Sequence, residues 1–227
     1  MEHLLLLHGA IGAKDQLQQL GEKLTNNFII HTISFSGLGG EAMPETCSIE
    51  IFADDVLKYL KQNNIEKINI FGYSMGGYVG LYLAKHYPLK VNKLFTLATK
   101  FEWSKEIAQK EIKMLDAEKI AEKIPAFAHQ LKNRHYPNDW KILLKKTADM
   151  MVVLGNKNTL TLEDLRSIET PALISVGDND NMVTLDETKN VAQHLKNAEL
   201  VILQDTLHPL EKVDVEELSA EIKRFFL

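Results

Sequence analysis

Ser74 stands between two glycines, in Gly72-Tyr73-Ser74-Met75-Gly76. A serine hydroxyl is a weak nucleophile at neutral pH; it reacts when a histidine takes its proton and a carboxylate orients that histidine. Glycine, serine and glycine at this spacing suit a sharp strand-to-helix turn that lifts the hydroxyl above a sheet edge. Such a turn strains the serine backbone, and a Cβ at either flanking glycine would strike the adjoining strand or helix. Five residues in so loose a pattern also occur by chance, so the flanks carry the weight. An apolar run ending at Phe71 reads as a strand, and Val79, Leu81, Tyr82, Leu83 and Ala84 read as a helix that stops before Pro88.

The partners of such a serine follow in the order acid, then histidine, each on a loop after a late strand. Of eight histidines, His208 in Asp205-Thr206-Leu207-His208-Pro209 best fits the base. His194 falls mid-helix, His86 closes the helix after the turn, and His129 and His135 lie in a helical stretch. His3 and His31 flank or occupy strands. The plainer reading of His208 is a surface histidine preceding a helix. Three aspartates compete for the acid: Asp178 and Asp180 in Gly177-Asp178-Asn179-Asp180-Asn181, and Asp205. Asp180 is favoured. Asp178 directly follows the glycine, where aspartates form turns, and Asp205 would have to fold back from the loop that carries His208. The developing oxyanion needs backbone N–H donors. Met75, at a helix N-terminus where the dipole helps, and Ala10, after His8-Gly9, are the candidates; otherwise His8-Gly9 merely ends a strand.

These loops need a scaffold. Leu4–Leu7 is apolar without alternation, as in a strand buried on both faces. Strands are expected also at Phe28–Ile33, Ile65–Phe71, Val91–Ala98, Pro171–Val176 and Glu199–Leu203. Helices are expected at Lys14–Leu24, after Ser48, after Ser74, at Thr184–Leu195 and at Val213–Phe226. Alternation of this kind means right-handed βαβ units and a mostly parallel, doubly wound α/β sheet of about six strands, with any ligand at the strands' carboxyl ends. Residues 101–168 break the rhythm. They offer helical stretches at Glu106–Leu115, Glu118–Leu131, Asp139–Leu154 and Leu162–Ile168, an insertion between core segments 1–100 and 169–227.

The chain has 227 residues, 45% hydrophobic and 25% charged, which is ordinary for one domain with an insertion. A net charge of -5 and the lack of a basic run argue against nucleic acid. The single cysteine, Cys47, rules out an intrachain disulfide framework. No stretch reads as a signal peptide or a membrane span, so a cytoplasmic protein is expected. No cofactor or metal is expected. The expected partner is a small, partly apolar molecule, and a homodimer is left open.

The pieces Leu7-His8-Gly9-Ala10, the loop from Phe35 to Gly39, Gly72-Tyr73-Ser74-Met75-Gly76-Gly77, Gly177-Asp178-Asn179-Asp180 and Leu207-His208-Pro209 together resemble the α/β-hydrolase fold superfamily. The resemblance spans nearly the whole chain outside the insertion, which falls where that family places a helical lid. It implies a Ser74–His208–Asp180 triad, since the family's acid commonly sits three residues after that glycine. Two departures stand out. The strand with the His-Gly turn is the first strand, where relatives usually have leading antiparallel strands, and Ala10 stands where relatives often have a bulky aromatic residue.

The resemblance implies a serine hydrolase acting on a small ester or thioester, with carbon–carbon bond cleavage or a lyase reaction as an alternative on the same site. A non-catalytic ligand-binding module is the third reading, and the presence of all three catalytic residue types argues against it. In the insertion, Phe101, Trp103, Met114, Phe127 and Trp140 line an acyl pocket or form the helices' own core, the latter being the plainer reading of each. Met182 is expected near the pocket, and Lys100 reads as a solvated lysine more readily than as a ligand for a substrate carboxylate.

Overall fold

Leu4, Leu5, Leu6 and Leu7 are all fully buried, Leu5 and Leu7 in one hydrophobic cluster and Leu4 and Leu6 in another. A strand with no polar face needs cover on both sides, and the computed structural model, which describes residues 1–227, supplies it. Six strands form one sheet: β1 (Glu2–Leu7), β2 (Phe28–Thr32), β3 (Ile68–Tyr73), β4 (Val91–Leu97), β5 (Ala172–Gly177) and β6 (Ala198–Leu203). Their order is β2-β1-β3-β4-β5-β6, and every pair is parallel. The expectation of a mostly parallel sheet is thus met by a wholly parallel one.

The helices divide between the faces. Helices α1 (Gln18–Leu24) and α10 (Val215–Phe226) cover one face, burying Leu20, Leu24, Leu218 and Ile222. Helices α2 (Ile49–Gln62), α3 (Met75–His86) and α9 (Leu185–His194) cover the other, with Phe52, Val56, Val79 and Val191 inward. Each fully buried apolar side chain of this size contributes about 1.5–3 kcal/mol relative to exposure. Capping fixes where the helices begin. Ser48 Oγ accepts from the Ile51 amide at 3.2 Å, and Thr184 and Glu187 form a reciprocal capping box.

Between β4 and β5 lie α4 (Lys105–Glu111), α5 (Ala117–Lys123), α6 (Pro125–His135), α7 (Trp140–Asn156) and α8 (Leu162–Arg166). The helix expected over Glu118–Leu131 is two helices. Pro125 has no N–H to donate and forces the residue before it out of helical conformation, so Ile124 sits at φ -136° and Pro125 opens α6. The stretch expected at Glu106–Leu115 is α-helical only to Glu111 and finishes as a 3-10 turn. The third strand starts at Ile68, not Ile65, because the Ile65 amide turns back to the Leu60 carbonyl at 2.9 Å and closes α2. A 3-10 turn at Lys14–Leu17 likewise precedes α1. No helix is long and apolar enough to cross a membrane.

Candidate active site

The strand order contains one reversal. From β1 the chain moves outward to β2, then returns to β3 and proceeds in the other direction. The loops after β1 and β3 therefore part at the sheet's carboxyl edge and leave a crevice, the usual ligand position in an open α/β sheet. Ser74 follows β3 on one side of it, and His8-Gly9-Ala10 follows β1 on the other.

Ser74 has φ 51° and ψ -116°, a region that non-glycine residues rarely occupy. Bonds on both sides hold it there. Its amide donates to the Leu97 carbonyl at 2.8 Å, and its carbonyl accepts from Thr99 Oγ1 at 2.9 Å. The flanking glycines permit the turn for separate reasons. A Cβ on Gly72 would lie 2.4 Å from the Gly77 nitrogen, in α3, and one on Gly76 would lie 2.5 Å from the Leu7 carbonyl oxygen, in β1. Both obstacles are backbone, which cannot step aside.

His208 is 8% exposed, and its Nδ1 lies 2.8 Å from Asp180 Oδ2. A carboxylate only accepts, so Nδ1 carries the proton and Nε2 keeps its lone pair. Asp180 is in turn fixed by the amides of Met182 and Val183, each donating to Oδ1 at 2.8 Å. Of the three aspartates, only Asp180 meets the histidine. Asp178 accepts from the Thr206 amide at 3.2 Å and ties the two late loops together; Asp205 is exposed at φ 51°. No hydrogen bond joins His208 to Ser74, but both line the same cavity. In ligand-free enzymes such bonds commonly tighten only once substrate is bound.

Sequence reasoning missed the role of Tyr73, the residue before the serine. Its hydroxyl donates to the His208 carbonyl at 2.9 Å, and its ring lies 5.7 Å from the imidazole. Burial raises the phenol pKa and keeps it a neutral donor. The only sequence signal was a large polar aromatic inside a motif that tolerates any residue there.

The loop after β1 is held as firmly. The Gly9 carbonyl accepts from His8 Nδ1 at 2.8 Å and from the Gly12 amide at 3.2 Å. In a trans peptide the C=O and N–H point in opposite directions, so these two bonds also set the direction of the Ala10 N–H. His8 Nε2 accepts from the Phe35 amide at 3.2 Å, which fixes the tautomer, and full burial lowers its pKa to about 4. Ile11, β-branched and at φ 53°, is strained. Its carbonyl is held by His135 Nε2 at 3.0 Å, while His135 Nδ1 accepts from the Gly39 amide at 3.0 Å. Burial lowers the His135 pKa as well. Met75 opens α3, and a helix's first N–H groups have no partner within the helix.

Ala10, Ser74, Met75 and His208 line one cavity of about 550 Å³. Its remaining wall is largely apolar. Trp103, Met114 and Phe127 line it as acyl-pocket candidates, and so does Met182. Phe101 instead packs in the main core, and Trp140 packs with Ile120, Leu131 and Leu144 beneath the helices. Met150, Met151 and Leu154 of α7 complete the wall and were not foreseen, because helical spacing does not separate a cavity face from a core face. The solvated reading of Lys100 needs correction: its side chain is 14% exposed and lies between Glu111 and Glu187. No group of three or more His, Cys, Asp or Glu side chains is placed to hold a metal ion.

Comparison with known proteins agrees with this fold. A family model described as the alpha/beta hydrolase fold matches residues 2–117. A Rhizobium rhizogenes protein named "Putative carbamate hydrolase RutD" is 25% identical over 90% of this chain and 84% of its own length. The pimeloyl-[acyl-carrier protein] methyl ester esterase of Vibrio cholerae is 31% identical over 43% of this chain and 37% of its own. Among solved structures, the 2-hydroxy-6-oxo-6-phenylhexa-2,4-dienoate hydrolase of Rhodococcus superposes with a TM-score of 0.82 at 21% identity, covering 99% of this chain and 90% of that one.

Proposed function

The chain belongs to the alpha/beta hydrolase fold family, and from that premise we propose that it is a serine hydrolase that cleaves a small carboxylic ester or thioester through an acyl-enzyme. Ser74 Oγ attacks the carbonyl carbon. His208 Nε2 takes the hydroxyl proton and then delivers it to the leaving group, while Asp180 holds the Nδ1 proton and stabilises the imidazolium. The amides of Ala10 and Met75 receive the oxyanion. Water, deprotonated by the same histidine, releases the acid.

The reading rests on one observation above the others: His208, which lines the same cavity as Ser74, is held from behind by a buried 2.8 Å bond to Asp180. The relatives named for ester and carbamate hydrolysis support acyl transfer as the chemistry. The largely apolar wall favours an apolar acyl or alcohol part, and α4 to α7 act as a lid that selects it. The test is labelling with a fluorophosphonate, followed by mapping of the adduct. We expect modification at Ser74; an unmodified serine in folded protein would overturn the reading. A panel of nitrophenyl esters then separates ester hydrolysis from carbon–carbon bond cleavage, since ester turnover at background rates favours the latter.

A further inference from the structure

Lys100 and Glu111 form a buried, oppositely charged pair on the cavity wall. Lys100 Nζ lies 3.8 Å from Glu111 Oε1 and 3.6 Å from Glu187 Oε2. Both separations are too long for hydrogen bonds. The two carboxylates are not equivalent. Glu187 is occupied elsewhere: Oε1 accepts from the Phe101 amide at 3.0 Å, and Oε2 from the Thr184 amide at 3.1 Å. The Glu111 side chain is 4% exposed, and the Lys100 ammonium is its one ionic partner. A buried carboxylate and an ammonium, each with hydrogen-bonding capacity left over, are costly unless something satisfies them. The other charged groups of the wall differ. Arg134, also largely buried, differs in holding its carboxylate at hydrogen-bond distance, Nε donating to Asp15 at 3.2 Å; Glu211 accepts from Gln16 at 3.0 Å, and Lys212 is exposed.

We propose that Lys100 and Glu111 form a polar subsite for a neutral group on the substrate that both accepts and donates hydrogen bonds, such as a terminal carboxamide. The proposal rests on the hydrolase reading and names the far end of its substrate. The carbonyl oxygen accepts from Lys100 Nζ, and the N–H donates to Glu111. Charge selects this class. An anion would be drawn to Lys100 but would face two carboxylates within 4 Å of it. A cation would meet the ammonium, and of the two carboxylates Glu187 already accepts from the Phe101 and Thr184 amides, which leaves only Glu111 to receive it. An alkyl end would leave both charges unsatisfied.

The test is calorimetric titration of Ser74→Ala protein with linear chains of matched length ending in carboxamide, carboxylate, ammonium or methyl. The carboxamide should bind about tenfold tighter than the others. Lys100→Met should erase that preference. Glu111→Gln, which keeps the shape and removes one negative charge, should shift the preference toward carboxylate. Tightest binding of the methyl, ammonium or carboxylate chain, equal or unmeasurable affinities, or an unchanged order in Glu111→Gln would overturn the proposal. The titration needs no turnover, so its failure is distinct from a missing fluorophosphonate adduct, which defeats the hydrolase reading itself.

Discussion

The Nε2 of His135 donates to the carbonyl of Ile11 at 3.0 Å, reaching back 124 residues from the end of α6 to the loop after β1. The same ring accepts from the Gly39 amide. Truncation to alanine would leave two main-chain groups without partners, at about 1–3 kcal/mol for each that stays buried. His135→Ala should therefore lower unfolding free energy by about 2–4 kcal/mol. Urea denaturation measures this directly, and a wild-type midpoint would show that the ring is not holding the loop.

Ser74→Ala should reduce kcat/KM for any ester substrate by about 10⁴-fold or more, with labelling by fluorophosphonate lost. Its stability should not fall, because Ser74 occupies a strained backbone conformation that packing alone does not call for. A stability loss comparable to that of His135→Ala would argue that the hydroxyl is a structural group.

The two aspartates of the loop after β5 should separate cleanly. Asp180→Asn should cost about 10⁴-fold in kcat, because an amide favours the wrong histidine tautomer. Asp178→Asn keeps an acceptor oxygen for the Thr206 amide and should stay within a few-fold of wild type. Steady-state kinetics on one ester decides between them, and equal losses would contradict the assignment.

Tyr73→Phe removes the donor to the His208 carbonyl while keeping the ring that packs beside the imidazole. The expected result is a fall in kcat of roughly tenfold with KM little changed, since a displaced base affects the transition state more than binding. A rise in KM alone would point to a role in substrate contact.

Stability should fall with acid over a defined window. Unfolded, His8 binds a proton below about pH 6.5; folded, it does so only below about 4. The unfolded state thus holds more protons between these values, so stability is full above pH 6.5 and declines as pH drops toward 4. His8 alone contributes about 3 kcal/mol to that decline, and the lowered pKa of His135 adds in the same direction. Denaturation midpoints measured from pH 7 to 4.5 report it, and a flat profile would mean that His8 is not buried and neutral.

Local signals in the sequence singled out Ser74, His208 and Asp180, because each lies at a strand end where glycine, proline and turn residues must follow fixed rules. Gly72 and Gly76 were legible for this reason, and so was the order of Asp180 before His208. The misses involve long-range contact. Tyr73 reaches His208 across 135 residues and His135 reaches Ile11 across 124, and no periodicity encodes either. The segment between β4 and β5 is helical, but its apolar residues serve two surfaces, so periodicity does not separate Trp103 and Phe127 from Phe101 and Trp140. Pro125 marks its break in the sequence, but the apolar periodicity continues across it and masks the boundary.

The sheet divides the protein into two compartments with different freedom to change. The core beneath α2, α3 and α9 shares Ile49, Met75, Tyr78, Met150 and Leu154 with the cavity wall, whereas the core beneath α1 and α10 shares only Tyr73. A substitution among Leu20, Phe28, Leu218 or Phe226 alters folding free energy and little else. Those positions can therefore drift, or be improved by design, while the reaction stays the same. Along a lineage, the α1–α10 side should record selection for temperature and turnover in the cell, and the opposite side should record changes of substrate.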